Sequence, residues 1–326
     1  MAYQNVGTPR FYVSDVQWMM NQGFNYQIYY GISLNSSINV IPTNTFTFGE
    51  GEQQDTSMYG FPLSGPMNFM FTGGHNFQAC HGWTMLKHGS DYIPQTEVVN
   101  YRNEYYPMYD GWSLSTFEEI STNEALWRVY HSDYNNIPVS LMSMAIGKYY
   151  DMPHSPDLNL TMSREYGGIK TIETKGGASL SNSFYRGSPA WGDAGAWELY
   201  DGTPTNKNLA RSGRRVWDLS FSYLQDSDVF GSQVLDGGKW GDQRGYGWEA
   251  EDLSWEGKFH YNLLTDDSFY TQVIHKTNGG QLPFIFQPDV KDNTNFAICK
   301  FDQSSFSFQQ TAPNLYSVKM KIREVW

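Results

Sequence analysis

Residues 315–326, LYSVKMKIREVW, alternate between apolar and polar side chains with a period of two. Successive side chains of an extended chain point to opposite sides, so this pattern predicts a strand with one buried and one solvated face. The two faces are Tyr316, Val318, Met320 and Ile322 against Ser317, Lys319, Lys321 and Arg323. Because chain ends fray unless they are packed, the aromatic Trp326 predicts that this strand docks into a sheet or against a neighbouring subunit.

Other strands precede this one. Residues 216–223 alternate in the same way, with Trp217, Leu219, Phe221 and Tyr223 on one face. Short apolar runs separated by turn residues predict strands at 282–287, 295–301 and 305–310. The terminal strand is therefore expected to be the last of a series of four that begins at Leu282.

Two helices are expected beside these strands. Residues 266–276 predict a helix with an apolar stripe of Phe269, Val273 and Ile274. Asp266 and Asp267 would cap its start, and Gly279 and Gly280 would end it. Near the N-terminus, residues 11–13 predict a strand and residues 16–20 a short helix, with Ser14 and Asp15 as caps.

The middle of the chain carries weaker patterns. Gly and Pro punctuate residues 48–75, so we expect irregular connections there, and residues 117–130 loosely favour a helix. The apolar run 139–150 fits a strand or a helix. Residues 151–210 are dense in Gly, Pro, Ser and Asn, which predicts long functional loops.

These patterns divide the chain into three parts. Residues 1–75 are expected to form an N-terminal segment of β structure with a short helix. Residues 76–210 are a loop-rich middle region, either an insertion or a second domain. Residues 211–326 are a β-sandwich-like region with a helix at 267–276.

Aromatic content narrows the fold class further, because 11 Trp, 23 Tyr and 20 Phe make up 17% of the 326 residues. Aromatic residues favour pleated sheets, and together with Met they are enriched at protein interfaces. The aromatic content has two interpretations: an aromatic-rich β core, or apolar surface that is buried between subunits. The two are compatible with each other.

Charge and cysteine content exclude some classes of function. A net charge of -12 argues against a nucleic-acid-binding surface, since phosphate affinity needs clustered Lys and Arg. The two cysteines, Cys80 and Cys299, are expected to be free thiols in a reducing cytoplasm. We expect no secretory signal and no membrane insertion, because neither an apolar h-region nor a run of about 18 apolar residues is present.

Few residue groups suggest chemistry. The ligand types His75, Cys80, His81 and His88 fall close together, but adjacent strand residues such as Cys80 and His81 point apart, which disfavours a zinc site. The glycine-rich stretch 237–247 lacks the Gly-Lys-[Ser/Thr] ending of a phosphate-binding loop. We expect no cofactor, no metal site and no enzymatic activity.

One acidic group is the best candidate for the alternative of catalysis. Glu249, Glu251 and Asp252 lie among aromatic residues, as in a site that cleaves or merely binds a glycan. A chain with 34 acidic residues offers such groups by chance, so a solvated acidic loop is favoured.

Three segments resemble structural proteins of tailed-bacteriophage virions, in particular tail and distal-tail (baseplate hub) proteins. They are residues 212–228, residues 282–289 with 295–302, and the final YSVKMKIREVW. The resemblance covers roughly the last third of the chain. It implies a β-sandwich of tail-tube-like type with one or two flanking short helices and long loop-rich insertions, assembled into a ring.

The resemblance also implies the partners: other copies in a ring of six or three, other tail or virion proteins, and DNA that passes without specific binding. The protein would be located in the virion tail after assembly in the host cytoplasm. The expected assembly interface is the apolar face of the terminal strand, namely Tyr316, Val318, Met320, Ile322 and Trp326. An exposed apolar edge strand must be covered, and a neighbouring subunit in a closed ring can cover it.

Two alternatives remain within the virion. One is a head or head-fibre structural protein. The other is a receptor- or glycan-binding tail protein, whose aromatic loops at 184–200 and 240–255 would contact host polysaccharide.

Overall fold

The computed structural model describes residues 7–22, 39–48, 53–57, 66–88, 91–102, 105–120, 126–130, 137–167, 170–181, 187–201, 213–230 and 266–326. Within these residues the chain is mainly β, with three short helices: α1 (Asp15–Asn21), α2 (Asp226–Val229) and a π-helix (Tyr270–His275). The strands are β1 (Arg10–Ser14), β2 (Phe46–Phe48), β3 (Gln53–Ser57), β4 (Met67–His75), β5 (Trp83–His88), β6 (Asp91–Tyr92), β7 (Gln95–Val99), β8 (Gly111–Ile120), β9 (Leu126–Tyr130), β10 (Val139–Leu141), β11 (Ser143–Asp151), β12 (Thr161–Glu165), β13 (Thr171–Glu173), β14 (Ser179–Ser181), β15 (Ala190–Trp191), β16 (Ala194–Gly195), β17 (Arg214–Gln225), β18 (Phe284–Gln287), β19 (Ala297–Phe301), β20 (Phe308–Ala312) and β21 (Leu315–Glu324).

Eleven strands form one antiparallel sheet. Its order is β12-β17-β21-β19-β18-β1-β11-β4-β8-β7, and β20 pairs with β21 outside this path. Strand β1 connects the N-terminal segment to the C-terminal region and to the middle of the chain, because Phe11 lies opposite Phe286 of β18 and opposite Tyr150 of β11. Hydrogen bonding in the sheet therefore crosses the boundaries expected near residues 75 and 210, and the division into three parts stays a prediction.

The centre of this sheet is covered on both faces. Phe11 of β1 joins one buried cluster, while the next residue, Tyr12, joins another. In β18, Phe286 lies in the cluster of Phe11, and Ile285 lies in that of Tyr12. A strand buried on both sides needs apolar residues at consecutive positions, so its sequence shows no alternation.

Both predicted helices are present on one side of the sheet. Helix α1 follows β1 directly, and the hydroxyl of Ser14 accepts the backbone N–H of Gln17 at 3.2 Å, as the cap prediction requires. The helix expected at 267–276 is a π-helix with buried Val273 and Ile274. The helix ends at His275, and Asn278, Gly279 and Gly280 take positive φ in the turn that follows.

A smaller sheet, in the order β3-β9-β5-β6, shares apolar core with the large one. Leu86 of β5 and Val129 of β9 lie in the same buried cluster as Met70 of β4 and Met144 and Ile146 of β11. The two sheets therefore bury apolar side chains against each other.

The structure corrects the expectations for the middle of the chain. Residues 48–75, expected to be irregular, include β3 and β4, and every residue of β4 is buried, so the strand carries no alternating pattern. The helix favoured at 117–130 is wrong, because its described residues belong to β8 and β9. The run 139–150 forms β10 and β11, and residues 151–210 contain β12 to β16 between turns.

Strand β17 departs from its predicted alternation at Tyr223. Trp217, Leu219 and Phe221 are buried as expected, but the register with β21 shifts between Phe221 and Leu224. At this bulge Tyr223 takes a φ of 62° and is 74% exposed, while Leu224 occupies the core instead.

Candidate functional site

The terminal strand, β21, pairs with β17, β19 and β20 of its own chain, so its partners lie within the molecule. Val318, Met320 and Ile322 are buried in this chain's own core, whereas Tyr316 and Trp326 keep part of their surface. Only these last two side chains offer substantial area to a neighbouring subunit. The interface expected on this strand stays a prediction.

The polar face of β21 is engaged in ion pairs at the surface. Lys321 Nζ lies 3.0 Å from Asp302 Oδ2, and Arg323 Nη2 lies 2.7 Å from Glu165 Oε2. The hydrogen bond with Asp302 raises the pKa of Lys321, so the amine is charged at neutral pH. Exposed pairs of this kind add little stability, because water and salt screen them, and these pairs leave no concentrated basic patch.

Residues suited to chemistry are mostly sealed inside the fold. His75 Nε2 lies 3.1 Å from the hydroxyl of Ser113, the spacing of a nucleophile and its base, but both residues are buried. Burial lowers the pKa of His75 to about 3, and its ring stacks on Phe77 at 4.4 Å between centroids. A substrate therefore has no route to the pair, which is part of the core.

Asp110 also has a perturbed carboxyl. Burial raises its pKa to about 6, although Oδ1 accepts the backbone N–H groups of Ala79 and Gln78, which favour the charged form. These bonds fix the turn that links β4 to β5. Asp110 therefore has a structural role, which is to hold the turn between β4 and β5 in place.

The ligand types around residue 80 do not converge. His75 and Cys80 are buried and His81 is exposed at a φ of 52°. Among the described residues, no group of three His, Cys, Asp or Glu side chains is suited to hold a metal ion. The glycine-rich stretch 237–247 and the acids Glu249, Glu251 and Asp252 lie outside the described residues.

The aromatic loop expected at 184–200 turns inward where the structure describes it. Trp191 is buried, and the partly buried Trp197 packs on the core, edge to face with Trp112 and stacked on Phe296, with ring centroids 5.1 and 6.1 Å apart. Most of the surface of these two rings is therefore occupied by the chain's own core. Phe184, Tyr185 and the loop 240–255 lie outside the described residues.

A different aromatic group is at the surface. The ring centroid of Trp83 lies 6.4 Å from that of Tyr105 and 6.4 Å from that of Tyr106. The ring centroids of Tyr92 and Tyr105 are 6.0 Å apart. Lys87 Nζ lies 4.8 Å from the centre of the Tyr92 ring. We call Trp83, Tyr92, Tyr105 and Tyr106 the aromatic patch. No sequence pattern pointed to it, because its members come from β5, β6 and a turn.

A buried ion pair joins the two helices that flank β1. Lys276 Nζ lies 2.8 Å from Asp15 Oδ1 and donates to Gln272 Oε1 at 2.7 Å. The side chains of Asp15 and Lys276 are 3% and 1% exposed. Burial raises the pKa of Asp15, which the ammonium of Lys276 opposes. The pair ties α1 to the π-helix and is closed to solvent, so its role is structural.

One element stands apart from the rest of the described chain. Strands β13 and β14 pair only with each other, and every residue from 170 to 181 is exposed. Ile172 lies directly opposite Leu180, and these side chains are 64% and 60% exposed. We call residues 170–181 the arm.

The arm is closed by a well-formed turn. The backbone N–H of Ala178 donates to the Thr174 hydroxyl at 3.0 Å, and that of Thr174 donates to the Ala178 carbonyl at 2.8 Å. Gly177 supplies the positive φ of 79° that the turn requires. Hydrogen bonds thus define the shape of the arm, while its apolar pair faces water.

A cavity of about 240 Å³ opens beside β12 and β17. We call it the apolar groove; its apolar lining is Pro156, Leu160, Met162, Trp217, Leu219 and Phe286, and its polar lining includes Asp289, Asp292 and Asn295. A larger cavity of about 510 Å³ lies over the polar side of β17 and β21, between Asp157 and Lys319. The arm, the apolar groove and the aromatic patch are the candidate functional surfaces of the described chain.

The described residues contain no helix that is long and apolar enough to cross a membrane. Comparison with known proteins adds no relative: no family model, no curated protein and no solved structure matches this chain.

Proposed function

We propose that this chain is a structural component of a bacteriophage virion, a ring-forming distal-tail or baseplate-hub protein that self-associates and docks other tail proteins. The observation that carries the self-association is the arm, whose paired Ile172 and Leu180 are presented to solvent on a two-stranded hairpin. An isolated hairpin is marginally stable at best in water, and a neighbour that covers the apolar pair would stabilise it.

The virion assignment is supported by the segments that resemble tail proteins. They contribute β17, β18, β19 and β21, which are adjacent in the large sheet in the order β17-β21-β19-β18. Segments far apart in sequence thus form one continuous block of sheet. In the proposed protein the large sheet that contains this block, with the smaller sheet that packs on β4 and β11 of the same large sheet, is a sandwich of tail-tube-like type.

The proposed role is not catalytic. The Ser113–His75 pair is buried in the core, and Asp110 holds a turn. The arm and the apolar groove carry no activated nucleophile, so their chemistry suits binding. The acidic chain would also suit a channel through which DNA passes without being held, because negative walls do not retain phosphates.

Two measurements test this proposal. Native mass spectrometry of the purified chain should give closed rings of six or three subunits. Gold-labelled antibodies against the chain should mark the tail tip of the virions that contain it. A chain that stays monomeric contradicts the ring, and labelling of the capsid would favour the head or head-fibre alternative.

Glycan or receptor binding is the second candidate, and the aromatic patch favours it. Exposed aromatic faces stack on sugar rings, and Tyr92 and Tyr106 are 43% and 40% exposed. On this alternative, Tyr92→Ala with Tyr106→Ala abolishes retention of the chain on host polysaccharide, whereas the arm variant Ile172→Ser with Leu180→Ser keeps it. Equal retention of wild type and patch variant would remove the candidate.

A further inference from the structure

We propose that the arm of one copy docks in the apolar groove of a second copy of this chain, in a head-to-tail contact. This inference rests on the self-association proposed above and names the two surfaces that make it.

The apolar groove has the size and lining of a receptor for side chains. Its volume of about 240 Å³ is below the roughly 300–1,000 Å³ of small-molecule sites. Trp217, Leu219 and Phe286 form its floor, and the rings of Trp217 and Phe286 meet edge to face at 5.2 Å. The floor is therefore rigid. Met162 at the mouth is 44% exposed and gives an adaptable wall.

The arm presents what such a groove accepts. Ile172 and Leu180 lie side by side, so they enter a single depression together. The neighbouring pairs, Thr171 with Ser181 and Glu173 with Ser179, point to the opposite side of the hairpin. One face of the arm is thus apolar and the other polar, as expected of an element that docks on one side only.

Charge supports the same pairing. The arm carries Lys170 and Lys175 against Glu173, so it is basic by one charge in a chain whose net charge is -12. The acids Asp289 and Asp292 line the apolar groove, whereas Lys291, which lies between them in sequence and is exposed, is not among its lining residues. Opposite charges at the rim steer two surfaces together and disfavour arm-to-arm contact between copies.

A second copy is the occupant that these surfaces favour. Among the described residues, no member of the arm lines the apolar groove, so the arm does not occupy the groove of its own copy. Every copy therefore offers one arm and accepts one arm. Contacts of this heterologous kind generate rings when the rotation between copies closes, which agrees with the proposed assembly.

Cross-linking of the full-length chain tests the contact. One preparation carries Leu180→Cys in the arm, a second carries Met162→Cys in the groove, and a third carries Gln309→Cys on exposed β20 as a matched control. The native thiols of Cys80 and Cys299 are buried, so they should not react with the cross-linker. A short bis-maleimide should link the arm preparation to the groove preparation when they are mixed, and should link neither of them to the control.

The outcomes separate this inference from the proposed function. Arm-to-groove linkage supports the docking. Linkage of arm to arm, or no linkage in a sample that native mass spectrometry shows to be oligomeric, overturns the docking and leaves the self-association standing. A sample that stays monomeric overturns both.

A charge exchange gives an independent readout. Asp289→Lys with Asp292→Lys, or Lys170→Glu with Lys175→Glu, should each weaken self-association by roughly tenfold or more and invert its response to salt. Mixing the two variants should restore association between copies, because the arm of each variant then meets a groove of opposite charge on the other variant. Failure of the mixture to assemble better than either variant alone overturns the docking.

Discussion

The buried pair of Asp15 and Lys276 allows a quantitative test of how the helices are held on the sheet. The perturbations are Asp15→Asn, Lys276→Met and the two together. Asp15→Asn removes the charge that lies 2.8 Å from the buried ammonium and leaves Gln272 as its neutral partner. Lys276→Met leaves a carboxyl whose pKa burial already raises, and which can take up a proton.

The magnitudes follow from distance and burial. At 2.8 Å, with an effective dielectric constant of about 20, the attraction is about 6 kcal/mol, which is offset by the cost of desolvating both ions. Removing one partner of such a pair costs about 3–5 kcal/mol. We expect Asp15→Asn to fall in this range and Lys276→Met to cost less, because a protonated Asp15 leaves no buried charge.

The double variant is the decisive member of the cycle. It removes both charges, so it should be more stable than Asp15→Asn alone, with a coupling energy of at least about 2 kcal/mol. Free energies of unfolding would be measured by urea titration monitored by circular dichroism. Lys321→Met, which breaks an exposed ion pair, serves as the control and should cost much less stability than Asp15→Asn. Additive losses, or single losses below about 1 kcal/mol, would refute the reasoning.

Three further predictions concern stability. Glu324→Gln should lower the free energy of unfolding by about 2–4 kcal/mol, because the buried Glu324 carboxylate accepts hydrogen bonds from the Arg215 side chain at 2.8 and 3.0 Å. Urea unfolding would measure this loss of stability. A loss no greater than that of Arg323→Gln, which breaks an exposed ion pair, would contradict the prediction. Burial depresses the pKa of His75 to about 3, against about 6.5 in an unfolded chain. The unfolded state therefore binds the extra proton, and the stability of the fold decreases as the pH drops below about 6.5. His75→Gln should flatten this dependence of stability on pH, and an unchanged slope would contradict the prediction. Leu224→Ala should cost about 2–5 kcal/mol and Tyr223→Ala less than about 0.5 kcal/mol, because the bulge in β17 buries the former side chain and exposes the latter; a reversed order in thermal unfolding would show that the strand keeps simple alternation.

The mainly β character and elements near both ends of the chain were accessible from sequence because their patterns are local. Alternation in β21 and the cap at Ser14 each depend on residues within one element, and the structure confirms both. The same reasoning failed for β4, where burial on both faces leaves no period to detect. It also failed at Tyr223, because a bulge is set by the register of the partner strand.

The candidate surfaces were less accessible for the same physical reason. The apolar groove combines β12, β17 and the turn after β18, which are distant in sequence. The arm had a local signal, since Ile172 and Leu180 flank a turn with Gly176 and Gly177. The surrounding region is dense in turn residues, so this signal did not stand out in the sequence. The structure shows that Ile172 and Leu180 are uncovered, because the strands of the arm pair with no other described strand.

The central claim is that this chain assembles through its arm. Sedimentation velocity over a concentration series, on wild type and on Ile172→Ser with Leu180→Ser, tests it most directly. The polar-face variant Thr171→Ala with Ser179→Ala is the control. Covering two side chains that are about 60% exposed is worth about 2–3 kcal/mol, so the apolar-pair variant should associate roughly 30-fold or more weakly.

We predict that wild type and control form one discrete oligomer, and that the apolar-pair variant stays monomeric at the same concentrations with an unchanged circular dichroism spectrum. A monomeric wild type, or an apolar-pair variant that assembles as well as the control, would contradict the account.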